Sequence, residues 1–187
     1  METIAELWFE RAFSEVRRPL TQLAPDEVDH LVTSLHAARR VAVYGVGREG
    51  LMMRGLGMRL YHLGLDAHVV GEMTTPPLDH ADDWLVVSAG PGAFSTVAAL
   101  AKTTRAAGAR VALLTARPDA ALRPMSDCCV VLPAPTMANG MKVESVLPMG
   151  SAYEGALFMF CEYVIARLMT IRSQLESEMR ARHTNLE

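Results

Sequence analysis

Apolar side chains at Ile4, Leu7, Trp8, Ala12 and Phe13 recur every three to four positions, which predicts an amphipathic helix from Glu2 that Pro19 ends near Arg18. A second helix is predicted at about 25–38. Pro25 suits a first helical position, Asp26 and Glu27 suit the positive end of the helix dipole, and Arg39 and Arg40 suit its negative end. From Val41 the period changes. VAVYG (41–45), DAHVVG (66–71), DWLVVSAG (83–90), ARVALLTA (109–116) and DCCVVLPA (127–134) are short apolar runs, with helical stretches from Glu49 to Leu63 and from Ser95 to Ala107 between them. Runs that are apolar on both faces and alternate with helices predict an α/β fold, with a parallel sheet covered on both sides.

From Gly155 to about Arg182 the chain has no proline and no further glycine, which predicts one long closing helix. Its start, ALFMFCEYVIARLM, is apolar on more than one face, so it is either central or at a subunit interface. The segment 133–150, PAPTMANGMKVESVLPMG, reads as a long loop, and such loops inside compact domains are often functional. The whole chain, 1–187, reads as one domain: N-terminal helices at 1–38, a βα core at 39–134, and a loop with a C-terminal helix at 135–187.

Composition narrows the partners. With 18 basic and 21 acidic side chains and a net charge of −3, the chain has no global positive field, so no nucleic-acid partner is expected. No apolar run approaches the roughly 20 residues of a membrane span, and the acidic amphipathic start lacks a signal peptide's basic region. A cytoplasmic protein with no membrane partner is expected. Cys128, Cys129 and Cys161 lack metal-motif spacing and read as core residues. His30, His36, His68 and His80 likewise offer no metal-ligand spacing, so no metal is expected.

Two strand-to-helix turns could hold an anion. GVGREG (45–50) offers Gly45, Gly47, Arg48 and Glu49, and SAGPGAFST (88–96) offers Ser88, Gly90, Gly92, Ser95 and Thr96. Such turns cluster at the carboxyl ends of parallel strands, where helix N-termini present N–H groups to ligands. Glycine is also needed at any tight turn, so each loop has a purely structural reading. The first turn also fits the spacing of the dinucleotide pattern, with Gly45, Gly47 and Gly50 at its three glycine positions and Glu72 near the place of the ribose-binding acid, but a lone match of this kind is a weak signal and nucleotide binding is the lesser reading. Glu154 lies at a helix start after the long loop, placed either for the dipole or as a general base. His62 lies on a helix and His183 in the C-terminal tail.

Taken together, VYGVGREG, GMRLYHLGLDAHVVGEMTTPP, LPMGSAYEGALF and the tail RHTNLE resemble the 6-phospho-3-hexuloisomerases of the sugar-isomerase (SIS) domain superfamily, in collinear order from about Val41 to Glu187. The resemblance implies a three-layer α-β-α sandwich with a five-stranded parallel sheet, flavodoxin-like or Rossmann-like, packed as a homotetramer. It implies interconversion of a 3-ketohexose phosphate and fructose 6-phosphate through a cis-enediol, with no cofactor and a small phosphorylated sugar as partner. Glu154 then matches the carboxylate base, His62 the catalytic histidine and His183 an assisting histidine that reaches across a subunit interface.

The two turns depart from that family. Its members carry serine at the position of Glu49 and S-G-S-G-x-T in the second turn, where hydroxyls bind phosphate; here Glu49 brings a charge, and Pro91 removes an N–H donor. Beside a phosphate, Glu49 is expected to point away, pair with a cation or meet a different ligand. Retained Glu154 and His62 point to an isomerase. The altered turns point to the alternative, a sugar-phosphate sensor without turnover.

Overall fold

The computed structural model describes residues 3–138 and 145–186. Two N-terminal helices, α1 (Ile4–Leu20) and α2 (Pro25–Ala37), precede alternating strands and helices: β1 (Arg40–Tyr44), α3 (Gly47–His62), β2 (Ala67–Val69), β3 (Asp83–Ser88), α4 (Ser95–Ala106), β4 (Arg110–Thr115) and β5 (Cys128–Val131). The long α5 (Ser151–Ile171) and the short α6 (Glu176–Ala181) close the chain. All strand pairs are parallel, and the five strands run in the order β2-β1-β3-β4-β5.

The sheet separates two apolar layers. Val41, Val43, Trp84, Val86, Leu114 and Val130 face α2, α3 and α5, whereas Ala42, Leu85, Val87, Val111 and Leu113 face α4 and a short 3-10 turn. Alternate residues of one strand point to opposite faces, and burial on both explains why the strands read as continuous apolar runs. Asp83 is a fully buried exception at the start of β3. Its carboxylate accepts hydrogen bonds from the Arg39 guanidinium and from the N–H groups of Asp79 and His80.

Two helix boundaries differ from expectation. α1 runs through Pro19, because a proline in the last turn removes a single backbone bond and only Leu20 follows it. The closing helix is not continuous to Arg182. It ends at Ile171 and Ser173 takes a left-handed φ of 50°, so that α6 folds back, although no glycine or proline marks the break. Cys128 and Cys161 are buried as expected, and Cys129 is half-buried.

Candidate active site

The strand order reverses between β1 and β3: these neighbours are followed by helices on opposite faces, α3 on one and α4 on the other. Their end turns diverge and leave a crevice at the carboxyl edge of the sheet, the usual ligand position in open parallel sheets. Gly45 follows β1, while Gly47, Arg48 and Glu49 form the first turn of α3. Ser88 ends β3, Gly90 and Gly92 lie in its turn, and Ser95 and Thr96 open α4 with both side chains exposed. Both predicted turns therefore meet at one place. The N-cap positions of α3 and α4, Val46 and Phe94, provide no side-chain cap, so the first N–H groups of both helices lack that partner.

Close packing shapes the crevice. A Cβ on Gly50 would lie 2.5 Å from the Gly45 carbonyl oxygen, so only glycine lets the first turn of α3 approach the end of β1. A Cβ on Gly90 would meet the Tyr153 ring at 2.7 Å and Glu49 Oε1 at 3.0 Å.

Glu49 does not point away, and among the described residues it pairs with no cation. Its side chain turns inward and is only 6% exposed. Oε2 accepts hydrogen bonds from Ser88 Oγ at 2.6 Å and from the Gly90 N–H at 3.0 Å. Because Ser88 gives its single proton to Glu49, the Tyr153 hydroxyl at 3.1 Å donates to Ser88 Oγ. Burial pushes the Glu49 carboxyl above the usual carboxylate range, against the lowering effect of its two donors. Tyr153 is pushed well above the usual tyrosine range, chiefly by burial and next by the Glu49 charge, and so keeps its proton.

Arg48 turns the other way, across to α5. Its Nε lies 2.9 Å from Glu154 Oε2, Nη1 donates to Ser151 Oγ at 2.9 Å, and Nη2 donates to the Met149 carbonyl at 2.6 Å. Met149 and Gly150 hold left-handed φ values of 56° and 85°, a bend that presents this carbonyl at the start of α5. Glu154, in the first turn of α5, is raised above the usual range by burial, lowered by the Arg48 charge and raised again by Glu49. The Glu49 charge thus reaches Glu154 at one edge of the crevice. A partly buried carboxylate with a raised pKa is suited to accept a proton from carbon.

His62 and His183 are brought together, but not to this place. α6 docks on the end of α3 through Arg182 Nη1, which donates to the His62 carbonyl at 3.0 Å, and the two imidazole rings lie 5.1 Å apart. His62 is buried and His183 exposed. At 1.5 Å rise per residue, Arg48 and His62 stand about 21 Å apart along the axis of α3. Within one chain, neither histidine adjoins Glu154.

Sequence reasoning missed Tyr153 and Ser151. A tyrosine in an apolar helix start needs a partner for its hydroxyl, and that need was the available signal. The middle of the long loop, 139–144, lies outside the described residues. Among the described residues no group of three or more His, Cys, Asp or Glu could hold a metal ion, and no helix is long and apolar enough to cross a membrane.

No protein-family model matches the chain. It is 37% identical to a 3-hexulose-6-phosphate isomerase of Mycobacterium gastri, over 92% of this chain and 86% of the relative. A 3-hexulose-6-phosphate isomerase of Bacillus subtilis is 29% identical over 100% of this chain and 98% of its own. The crystal structure of a Methanococcus jannaschii protein, from which a 3-hexulose-6-phosphate isomerase function has been inferred, superposes with a TM-score of 0.77 at 30% identity, over 87% of this chain and 86% of that one. Identity of this extent over nearly the full length, on a shared fold, places the chain in the 3-hexulose-6-phosphate isomerase family.

Proposed function

We propose that the protein is a sugar-phosphate isomerase that interconverts a 3-ketohexose 6-phosphate and fructose 6-phosphate through a cis-enediol. Family membership supports the reaction class. The observation that carries the assignment to this site is the Arg48–Glu154 pair, a raised carboxylate fixed by a guanidinium at the edge of the strand-end crevice. Glu154 takes the proton from the carbon beside the carbonyl and returns it to the former carbonyl carbon. The phosphate sits against the two turns, where the uncapped N–H groups of α3 and α4 and the hydroxyls of Ser95 and Thr96 are available.

Protons must also move between the two substrate oxygens. His62 and His183 suit this task only from a neighbouring copy, given their distance from Glu154 in one chain, and so the reading includes a homo-oligomer, most simply a tetramer. Two features support association. Phe9 and Phe13 on α1 are exposed, as are Phe158, Met159 and Tyr163 on α5. A groove of about 550 Å³ between α1, α2 and α5, lined mainly by Leu20, Leu23, Val28, Met159 and Tyr163 with the Asp29–Arg167 ion pair at its side, lies away from Glu49 and Glu154. The three free cysteines fit a reducing, cytoplasmic setting.

The test follows proton exchange at carbon, with fructose 6-phosphate in deuterated water. The protein is expected to exchange the proton beside the carbonyl, and Glu154→Gln, which keeps volume and loses basicity, is expected to abolish exchange while leaving the fold intact. One observation favours the second reading, a sensor: Glu49 fills the donors that a phosphate would use. Binding of fructose 6-phosphate without exchange in the unaltered protein would establish the sensor and reject the isomerase.

A further inference from the structure

Glu49 stands where a ligand anion would. The Ser88 hydroxyl and the Gly90 N–H converge on one carboxylate oxygen, at 2.6 Å and 3.0 Å, at the reversal point of the sheet. The arrangement is built rather than incidental. Glu49 is more than nine-tenths buried, Gly90 has no room for a side chain beside it, and the Tyr153 hydroxyl supports Ser88 from behind. The chain provides its own anion to its own cradle.

Among the described residues no cation offsets the Glu49 charge. On its own helix Arg48 is engaged by Glu154, Ser151 and Met149. From α5 it faces Tyr153, which keeps its proton, and Glu154, a like charge whose carboxyl it raises. From the β3 turn it faces only the Ser88 hydroxyl and backbone. A phosphate that reaches for the same donors therefore meets a carboxylate with no cation of the described residues between them.

We propose that Glu49 is the specificity residue of the crevice: it holds the donors of the β3 turn against phosphate, and a phosphosugar takes those donors only when Glu49 accepts a proton. A neutral carboxyl removes the repulsion and offers an O–H to a phosphate oxygen, while Ser88 and Gly90 turn to the ligand. Burial already favours the neutral form. The site then selects a phosphosugar together with one proton, and affinity falls by about tenfold per pH unit once Glu49 is ionised in the free protein. This inference rests on the phosphosugar reading above and adds to it the residue that sets the strength and pH dependence of binding.

The experiment is titration calorimetry of fructose 6-phosphate binding to the unaltered protein and to Glu49→Gln, in two buffers of different ionisation enthalpy, from pH 5 to pH 9. The phosphate's own ionisation is common to both proteins, and repeating the pair with Glu154→Gln in each removes the neighbouring carboxyl that the Glu49 charge shifts, so the difference isolates Glu49. The unaltered protein is expected to take up close to one more proton than Glu49→Gln at the alkaline end. There the variant is expected to bind at least about tenfold more tightly, with the gap closing as pH falls. Glu49→Ser deletes the same charge and gives the same answer if the amide does not fold. Equal proton uptake with equal or weaker binding by both variants overturns the proposal and leaves the isomerase reading standing. Failure of all three proteins to bind fructose 6-phosphate overturns both, and proton exchange at carbon separates that case.

Discussion

Arg48 Nε lies 2.9 Å from Glu154 Oε2, so the cation in the first turn of α3 directs its charge to α5 and not to Glu49 beside it. The pair joins two helix starts that are far apart in sequence and holds the candidate base at the crevice edge.

Removal of this cation has a definite sign. Burial raises the Glu154 carboxyl, and the Arg48 charge pulls it partly back. In Arg48→Gln the carboxyl rises further, so less of it is in the basic form at any given pH. The acidic limb of the kcat/KM profile is expected to move to higher pH, with the alkaline plateau less affected. A limb that stays in place would mean that Glu154 is not the base seen in the profile.

The separation of His62 from Glu154 leads to a mixing experiment. Glu154→Gln and His62→Ala are each expected to lose most activity. When the two are unfolded and refolded together, roughly a quarter of sites in a mixed oligomer draw Glu154 and His62 intact from different chains, and that share of activity is expected to return. No recovery would mean that His62 serves the fold and not the reaction.

Gly50 and Gly55 occupy the same helix and predict opposite outcomes. Gly50→Ala places a Cβ 2.5 Å from the Gly45 carbonyl oxygen, whereas a Cβ on Gly55 meets nothing within 4 Å. Gly50→Ala is expected to cost about 1–3 kcal/mol, as overpacking does, and to weaken fructose 6-phosphate binding. Gly55→Ala is expected to stabilise by up to about 1 kcal/mol through helix propensity. Thermal melts of the two variants measure both.

Asp83 makes part of the stability pH-dependent. Burial pulls its carboxyl upward, but hydrogen bonds from Arg39 and from the N–H groups of Asp79 and His80 outweigh this and leave it below the usual range. A folded pKa depressed below the unfolded one contributes stability at pH values above the ordinary aspartate range, lost as pH falls through that range and on through the lowered folded value. Asp83→Asn is expected to cost about 1–3 kcal/mol at neutral pH. Urea denaturation of the two proteins is expected to converge as the solution is acidified, and a constant difference down to pH 3 would exclude the linkage.

Assembly is testable on α1. Phe9 and Phe13 stack at 6.1 Å between ring centroids, and both are exposed. Light scattering is expected to give a multiple of the 20.4 kDa chain mass. Phe9→Glu with Phe13→Glu is expected to reduce it while each chain stays folded. A monomer from the unaltered protein at micromolar concentration would remove the homo-oligomer, and with it the shared site.

What was legible in the sequence was local. Apolar runs between Val41 and Ala134 marked all five strands, because burial on both faces leaves little room for polar side chains. The glycines of the two turns and the position of Glu154 were legible for the same reason: backbone approach and helix starts leave residue-type signatures within a few positions. The break after Ile171 was not legible, since Ser173 adopts its left-handed turn to let α6 dock on α3, a long-range contact.

Glu49 marks the limit of local reading. From sequence it was a charge in an anion loop, expected to point away, pair with a cation or meet a different ligand. The sequence by itself determined that an α/β fold would carry a carboxylate, an arginine and two glycine turns at strand ends. Only the tertiary structure decided their pairing: Arg48 with Glu154, Glu49 with Ser88 and Gly90, and His62 with His183 at the far end of α3. The physical reason is that a hydrogen-bond or charge partner is chosen by distance in space. The strand order β2-β1-β3 and the packing of α5 against α3 bring residues 39 to 106 positions apart within reach, and no window along the chain contains that information.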